Sequence, residues 1–278
     1  MDFITYEVDD RVAVISLNRP DKANAQNAQF LLELDECWER AAADGDVRVI
    51  VVRANGKHFS AGHDISASNE AIGDDANGAE APKGIDWENR GLEAIYEWEC
   101  IHYLGFTRRW RDVPKPSIAA VQGQCIAGGL MLCWPCDLII AADNAKFSDP
   151  VVRMGIAGVE YHGHTWELGA RKAKELLFTS SAIDAEEAHR LGMVNRVVPL
   201  DELDAKTMTL AHEIAQQHPF ALRQAKRVVN QTIDTMGFYN AIQTGFEIHQ
   251  TGHGNALTVG GYPILVNLEE MKSGSKHG

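Results

Sequence analysis

The chain has 278 residues, of which 45% are hydrophobic and 23% are charged, values typical of one large soluble domain or of a domain with a smaller helical appendage. Its net charge of −13 disfavours nucleic acid or an anionic membrane as a partner, and no apolar run reaches the roughly 18 residues that span a bilayer. The N-terminal sequence MDFITYEVDD carries acidic residues where a secretory signal carries basic ones, so we expect a cytoplasmic protein.

The first part of the chain alternates predicted strands with predicted helices. Two short strands, ITYEVDD and VAVISLN, precede a helix that begins after Asn27 and carries apolar residues at helical spacing. Continuous apolar runs at 47–54, 117–122 and 138–142 are typical of strands that are buried on both faces of a parallel sheet. This alternation predicts an α/β fold.

The middle of the chain changes character. Residues 67–84 are rich in Gly, Ala, Asn, Asp and Glu, a composition that predicts a loop. The aromatic and acidic pattern of residues 85–104 predicts a helix, and we expect loop and helix together to form a lid. Residues 165–178 predict another helix despite Gly169.

From residue 200 onward the pattern is almost entirely helical. We therefore divide the chain into an α/β core that carries the active site, residues 1–199, and a helical region, residues 200–278. A terminal block of helices without strands often packs on a neighbouring subunit, so we expect the second region to mediate oligomerisation.

Two glycine-containing stretches follow predicted strands. KHFSAGHDI comes after the strand at 47–54, and QCIAGGLML comes after the strand at 117–122. The carboxyl ends of neighbouring parallel strands meet at one sheet edge, where ligands commonly bind. Glycines let backbone N–H groups approach an oxygen atom closely, and two such groups form an oxyanion hole worth about 3 kcal/mol per donor.

Five motifs together resemble the crotonase, or enoyl-CoA hydratase/isomerase, superfamily. They are LNRPDKANAQN, HFSAGHDI, KPSIAAVQGQCIAGGLML, CDLIIAADNAKFSDP and LLFTSSAIDAEEAHRLGMVNRVVP. The resemblance implies a crotonase-like spiral of ββα units with a C-terminal helical trimerisation region, and hence a homotrimer or a hexamer built as a dimer of trimers. It also implies an acyl-CoA thioester substrate, with no cofactor beyond the CoA of that substrate.

The same resemblance assigns residues to the binding of that substrate. The oxyanion-hole donors fall on the backbone N–H groups of His63 and Gly128. Lys22 resembles the family's basic residue near the nucleotide of CoA. The remaining substrate-binding residues implied by the motifs are Ala61, Gly62, Asp64, Ile65 and Gly129.

The chain departs from the family at the two carboxylates that family hydratases use. These glutamate positions are Met131 and Val151 here, so the usual hydratase mechanism cannot operate unchanged. Glu160 is the first candidate replacement, because some family isomerases place an acid at the neighbouring position; Asp149 and His162 are the other candidates. The competing interpretation is that Glu160 pairs with an arginine or caps a helix.

Three functions remain open on this sequence. The first is hydration, or a related reaction through a thioester enolate, with a substitute acid or base. The second is another reaction of the superfamily, either hydrolysis of an acyl-CoA or isomerisation of an enoyl-CoA. The third is a catalytically silent subunit that binds acyl-CoA.

Two further patterns predict structure rather than chemistry. His249 and His253 have the spacing of a zinc pair, but Gly252 and Gly254 indicate that the helix ends there, so we predict no metal site. In Cys-Trp-Pro-Cys, Cys133 follows the predicted helix start by several residues, and we expect reduced core thiols rather than a redox pair.

Overall fold

The computed structural model describes residues 1–64, 85–266 and 270. The main sheet has six strands in the order β1 (Ile4–Asp9), β2 (Val12–Leu17), β3 (Val49–Ala54), β4 (Ser117–Val121), β6 (Leu138–Ala142) and β9 (Arg196–Val198). Only the pairing of β1 with β2 is antiparallel. A second sheet contains β5 (Gln124–Ile126), β7 (Lys146–Ser148) and β8 (Ala182–Asp184). The predicted α/β class is confirmed.

Helices connect and cover these strands. They are α1 (Ala28–Ala43), α2 (Trp87–Arg90), α3 (Leu92–Glu99), α4 (Phe106–Asp112), α5 (Leu130–Cys133), α6 (His164–Leu168), α7 (Ala170–Thr179), α8 (Ala185–Leu191), α9 (Leu203–Ala215), α10 (Pro219–Thr235) and α11 (Phe238–Gly260). A π-helix, Cys100–Gly105, joins α3 to α4, and short 3-10 turns lie at Pro20–Lys22, Ala127–Gly129, Val151–Met154 and Leu200–Glu202.

Two predicted helices are interrupted at glycines with positive φ. Gly169, at φ +73°, separates α6 from α7, so the single helix predicted over 165–178 is wrong. Gly91, at φ +60°, separates α2 from α3 within the segment predicted as one helix over 85–104. Glycine has no Cβ and adopts these angles without strain. The prediction of continuous helices did not take account of this freedom at Gly91 and Gly169. The predicted loop at 67–84 lies outside the described residues.

The main sheet is covered on both faces. On one face α1 buries Phe30, Leu34 and Trp38 in the larger apolar cluster. On the other face α9 packs Leu203 and Leu210 against valines and isoleucines of the central strands. Burial on both faces explains why these strands read as continuous apolar runs in the sequence.

The helix α10 has a different environment. None of its residues is buried, and Phe220, Val228 and Val229 are exposed. An apolar helix face left uncovered in a single chain favours contact with another subunit. The division at residue 200 and the trimeric or hexameric state remain predictions. No helix of the described residues has the length and apolar character needed to cross a membrane.

Candidate active site

The two glycine stretches meet beside the second sheet. The backbone N–H of Ser60 donates to the carbonyl of Gln124 at 3.1 Å, and the N–H of Ile126 donates to the carbonyl of Ser60 at 2.9 Å. A Cβ added to Gly62, whose φ is +89°, would lie only 2.7 Å from the Ile126 oxygen and 3.1 Å from the Gly128 nitrogen. Glycine at position 62 is therefore required by both its backbone conformation and the close approach of the two chains.

Two backbone N–H groups at this junction lie outside the local hydrogen-bond pattern. The bridge between residues 26 and 63 uses the N–H of Gln26, which donates to Gly62, and the N–H of Asp64, which donates to Gln26. It leaves out the N–H of His63. Gly128 lies in the opening 3-10 turn before α5, where N–H groups have no partner within the helix. Neither N–H group has a hydrogen-bond partner among the described residues, and their role as donors to a ligand oxygen stays a prediction.

The imidazole of His63 lies over this glycine junction. A Cβ added to Gly128 would be 2.7 Å from its Cε1 atom. The same ring stacks on Tyr103, with 3.9 Å between ring centroids. Its Nε2 atom lies 3.2 Å from Oε2 of Glu160. One residue thus connects the predicted oxyanion donors to a carboxylate.

Glu160 is buried and lies between two histidines. Besides His63, its neighbour is His249, whose Nε2 atom is 3.6 Å from Oε1 of Glu160. No arginine of the described residues pairs with Glu160, and it caps no helix there, so the competing interpretation is wrong. Carboxylate and imidazole within reach of each other can exchange a proton.

The position of Glu160 depends on glycines of α11. A Cβ added to Gly245 would be 2.7 Å from the Cβ of His162, and one added to Gly252 would be 3.0 Å from the carbonyl oxygen of Gly155. These glycines let the segment from Gly155 to His162 pack directly on the helix. The predicted helix end at Gly252 and Gly254 is wrong, because α11 continues to Gly260. Tertiary packing here outweighs the low helix propensity of glycine.

A second buried carboxylate adjoins the same helix. Glu99, at the end of α3, places Oε2 at 3.3 Å from Nε2 of His249 and Oε1 at 3.4 Å from Nε2 of His253. Burial lowers the pKa of His249, but the carboxylates of Glu160 and Glu99 outweigh it and raise that pKa to about 9. Burial would raise the pKa of Glu99, yet the two histidines hold it well below its usual range. The cluster therefore favours positive charge between its carboxylates.

Asp149 occupies a structural position instead. It is fully buried, and its Oδ2 atom lies 2.9 Å from Nε2 of His164. The carboxylate also accepts hydrogen bonds from the backbone N–H groups of Val151 and Val159. Burial raises the pKa of Asp149, but His164 and these two N–H groups together hold it below its ordinary value. Its contacts hold the segment before Glu160 in place.

His162 contacts His164, with 4.4 Å between the ring centroids. Its ring packs against Gly158, where an added Cβ would be 2.7 Å from Nδ1. Burial, reinforced by the neighbouring His164, lowers the pKa of His162 to about 4, so the ring is neutral at pH 7. The described contacts give His162 no link to Glu160 and favour a packing role.

The positions of the absent glutamates are apolar in the structure as well. Met131 lies in α5 and is buried in the main core cluster. Val151 opens the 3-10 turn that follows Asp149. Asp149 contacts the backbone N–H of Val151, whereas Glu160 is the carboxylate in contact with His63 among the described residues.

The residues predicted to bind CoA surround the first glycine stretch. Lys22 is exposed in the turn Pro20–Lys22. The carboxylate of Asp64 lies 2.5 Å from the guanidinium of Arg19, so it is engaged in an ion pair. This pair fixes the chain just beyond His63, and a direct contact between Asp64 and substrate stays a prediction.

The remaining predicted contacts are backbone positions. The N–H of Ala61 donates to the carbonyl of Ala23 at 2.9 Å. A Cβ added to Gly129 would be 2.8 Å from the carbonyl oxygen of Ser60, so glycine is needed for the two stretches to touch. Ile65 lies outside the described residues.

The cysteine pair is buried as predicted. Cys133 and Cys136 are free thiols, and the sulfur of Cys133 lies 3.8 Å from that of Cys125. Burial raises the pKa of both Cys133 and Cys136 well above the usual value. A redox cysteine needs a lowered thiol pKa, so this environment disfavours thiol exchange.

Sequence reasoning missed Glu99, considered Tyr103 only as an aromatic residue of the predicted lid, and discounted His249 and His253. The spacing of the two histidines in the sequence indicated that they could lie on one helix face. Because α11 continues to Gly260, both histidines do lie within one helix. Glu99 and Tyr103 flank the start of the π-helix Cys100–Gly105. Such helices occur often at functional sites, but a sequence gives no distinctive pattern for them.

Comparisons with known proteins identify the family. The family model described as "Enoyl-CoA hydratase/isomerase" matches residues 7–253. A putative enoyl-CoA hydratase, EchA13, of Mycobacterium tuberculosis is 44% identical over 259 residues, which is 91% of this chain and 81% of that protein.

Solved structures give the same result. The crystal structure of a probable enoyl-CoA hydratase from Mycobacterium smegmatis is 62% identical, with a TM-score of 0.87 over 96% of this chain and 100% of that one. An enoyl-CoA hydratase/isomerase from Xanthobacter autotrophicus Py2 is 34% identical, with a TM-score of 0.77 over 91% of this chain and 87% of that one.

Proposed function

Because the chain belongs to the enoyl-CoA hydratase/isomerase family and has its crotonase fold, we propose that it hydrates a 2-enoyl-CoA thioester, with Glu160 moving the protons. The observation that carries this proposal is the 3.2 Å contact between the His63 imidazole and Glu160. It places a buried carboxylate one side chain away from the backbone N–H of His63. No other candidate carboxylate has such a contact among the described residues.

The thioester oxygen binds between the N–H groups of His63 and Gly128. When a nucleophile adds to C3 of the enoyl group, the electrons of the double bond move toward this oxygen and form an enolate. Donors fixed by the backbone stabilise that charge without reorganising, and each contributes about 3 kcal/mol. The close approach of Gly62 and Gly128 supports this placement of the donors.

Glu160 then serves both halves of the addition. Its carboxylate accepts a proton from water while the water oxygen bonds to C3. The resulting carboxylic acid donates that proton to C2 as the enolate collapses, which gives a 3-hydroxyacyl-CoA and restores the carboxylate. A single group can do this because the protons accepted and donated are equal in number. These steps use no cofactor separate from the CoA of the substrate.

We extend the proposal to the contacts with CoA and with other subunits. Lys22 binds a phosphate of CoA as an exposed positive charge near the first glycine stretch. The exposed apolar side chains of α10 pack on a second copy of the chain, in a trimer or a dimer of trimers. The enzyme works in the cytoplasm.

The test is the fate of water oxygen. The protein is incubated with 2-enoyl-CoAs of several chain lengths in heavy-oxygen water, and the products are analysed by mass spectrometry. We expect label in a 3-hydroxyacyl-CoA. Label in a free acid would assign hydrolysis and contradict the proposal, and no conversion of any substrate would favour a silent acyl-CoA-binding subunit.

Isomerisation is a second candidate, favoured by the same solitary carboxylate. Moving the double bond from C3–C4 to C2–C3 requires one base that takes a proton from C2 and returns it to C4. Glu160 is the one carboxylate in contact with His63 in the described residues. Conversion of a 3-enoyl-CoA to a 2-enoyl-CoA without heavy oxygen would assign this reaction instead.

A further inference from the structure

The two histidines of α11 are held in one tautomer by backbone carbonyls. Nδ1 of His249 lies 2.6 Å from the carbonyl oxygen of Gly158, and Nδ1 of His253 lies 2.7 Å from that of Pro263. A carbonyl oxygen only accepts, so each Nδ1 carries the hydrogen. In the neutral rings both Nε2 atoms therefore present lone pairs.

These two lone pairs face each other. The Nε2 atoms of His249 and His253 are 3.0 Å apart, and the carboxylate of Glu99 lies 3.3 Å and 3.4 Å from them. Two nitrogen lone pairs and a carboxylate repel one another unless a cation lies between them. Either an additional proton or a metal ion must compensate this arrangement.

The distances match those between ligands of one metal ion. Zinc binds histidine nitrogen and carboxylate oxygen at roughly 2.0–2.2 Å, so two ligands of a tetrahedral ion are about 3.3 Å apart. With one ligand atom from each of Glu99, His249 and His253, all three atoms lie within 4.8 Å of one another. The two Nε2 atoms are 3.0 Å apart, and the two oxygens of Glu99 each approach one of them, Oε2 at 3.3 Å from His249 and Oε1 at 3.4 Å from His253. Two histidines with one glutamate, and a further position open, is a donor set of catalytic zinc sites.

The groups around the three ligands complete the pattern. Histidines that bind metals usually donate their second ring N–H to a backbone carbonyl or carboxylate, which fixes the tautomer. Both histidines here donate to carbonyls, and Glu99 is itself oriented by Gln250, whose amide donates to Oε2 at 2.6 Å. The ligands are buried, so little reorganisation would accompany binding.

We propose that Glu99, His249 and His253 bind one divalent first-row transition-metal ion, such as zinc, beside the site of the acyl-CoA reaction. Both histidines lie in α11 and Glu99 lies in α3, so the ion links the two helices. Glu160, 3.6 Å from His249, is the next carboxylate outward. The ion thus also fixes the imidazole that borders the proposed acid and base. Binding does not depend on which reaction the protein catalyses.

The first test measures metal directly. Protein expressed in zinc-supplemented medium and purified without chelators is analysed by elemental mass spectrometry, and chelator-treated protein is titrated with zinc alone. We expect about one zinc per chain and a higher Tm for the zinc-loaded protein. Substoichiometric metal in the purified protein together with no tight zinc binding on titration would overturn the proposal and leave a shared proton as the compensating cation.

Variants locate the ion. We expect His253→Asn to weaken zinc binding by about 100-fold or more, whereas His218→Asn, at an exposed histidine before α10, leaves it unchanged. If His253→Asn does not fold, the absorption spectrum of the cobalt-substituted wild-type protein decides, because tetrahedral nitrogen and oxygen ligation gives intense visible bands. Equal zinc affinity in both variants, or a cobalt spectrum typical of the hydrated ion, would refute this assignment.

Discussion

Replacing Glu160 by glutamine tests the proposed chemistry at a single functional group. Glutamine keeps the size of the side chain and can still accept a hydrogen bond from one of its two histidine neighbours, His63 or His249. It cannot accept the proton of water. General acid–base groups typically contribute 10²–10⁴-fold, so we expect kcat to fall by about that factor, equivalent to about 3–5 kcal/mol.

The assay follows the loss of absorbance of the conjugated thioester at saturating and at limiting substrate. KM should change little, because the N–H groups that bind the thioester oxygen belong to the backbone of His63 and Gly128. Glu167→Gln is the matched control, since it removes a glutamate of α6 that has no contact with this site among the described residues. A Glu160→Gln enzyme that folds normally and keeps kcat within about threefold would refute the assignment.

Three further predictions rest on other contacts. Gly128→Ala should lower kcat by about 100-fold, because its Cβ would lie 2.7 Å from the imidazole of His63; Gly45→Ala, with open space around the new Cβ, should keep full activity in the same assay. Burial raises the pKa of Glu167 from 4.5 to about 7, so the folded chain loses stability as pH rises through that window, and urea unfolding at pH 5 and pH 8 should show Glu167→Gln gaining up to about 3 kcal/mol over wild type at the higher pH. A difference in unfolding free energy between Glu167→Gln and wild type that is the same at pH 5 and pH 8 would contradict this prediction. Burial raises the pKa of Cys136 and keeps it protonated, so it should resist iodoacetamide at pH 8 in native protein and react on unfolding. Rapid labelling of Cys136 in native protein would show that this thiol is not buried.

The backbone features of the site could be predicted because they depend on residues close in sequence. A helix start at Asn27 is recognisable, since its side chain accepts from the N–H of Phe30 three positions later. The glycine junction is recognisable too, because parallel strands bring their carboxyl ends to one edge and only glycine permits the 2.7 Å approach near Gly62. In both cases the sequence itself records the steric or hydrogen-bonding requirement.

The side-chain contacts could not be predicted in this way. His63 meets Glu160 across 97 positions, and Glu99 meets Gln250 across 151. Such pairs depend on how α11 packs against the segment from Gly155 to His162. That packing depends on glycines of α11, which in a local reading of the sequence indicate the end of a helix. The error at Gly252 and the missed role of Glu99 therefore have one cause, the override of local propensity by tertiary contact.

The apolar residues at the usual glutamate positions and the histidines around Glu160 are two parts of one electrostatic arrangement. Two carboxylates close together raise the pKa of one another, because each disfavours the charge on its neighbour. With Met131 and Val151 at the usual positions, Glu160 meets no such carboxylate there, and imidazoles lie 3.2 Å and 3.6 Å away instead. In the proposed mechanism Glu160 takes the part of both hydratase glutamates, and the imidazoles of His63 and His249 border its carboxylate. Among the described residues, His63 and His249 are therefore the groups that border Glu160, in place of a second glutamate at position 131 or 151.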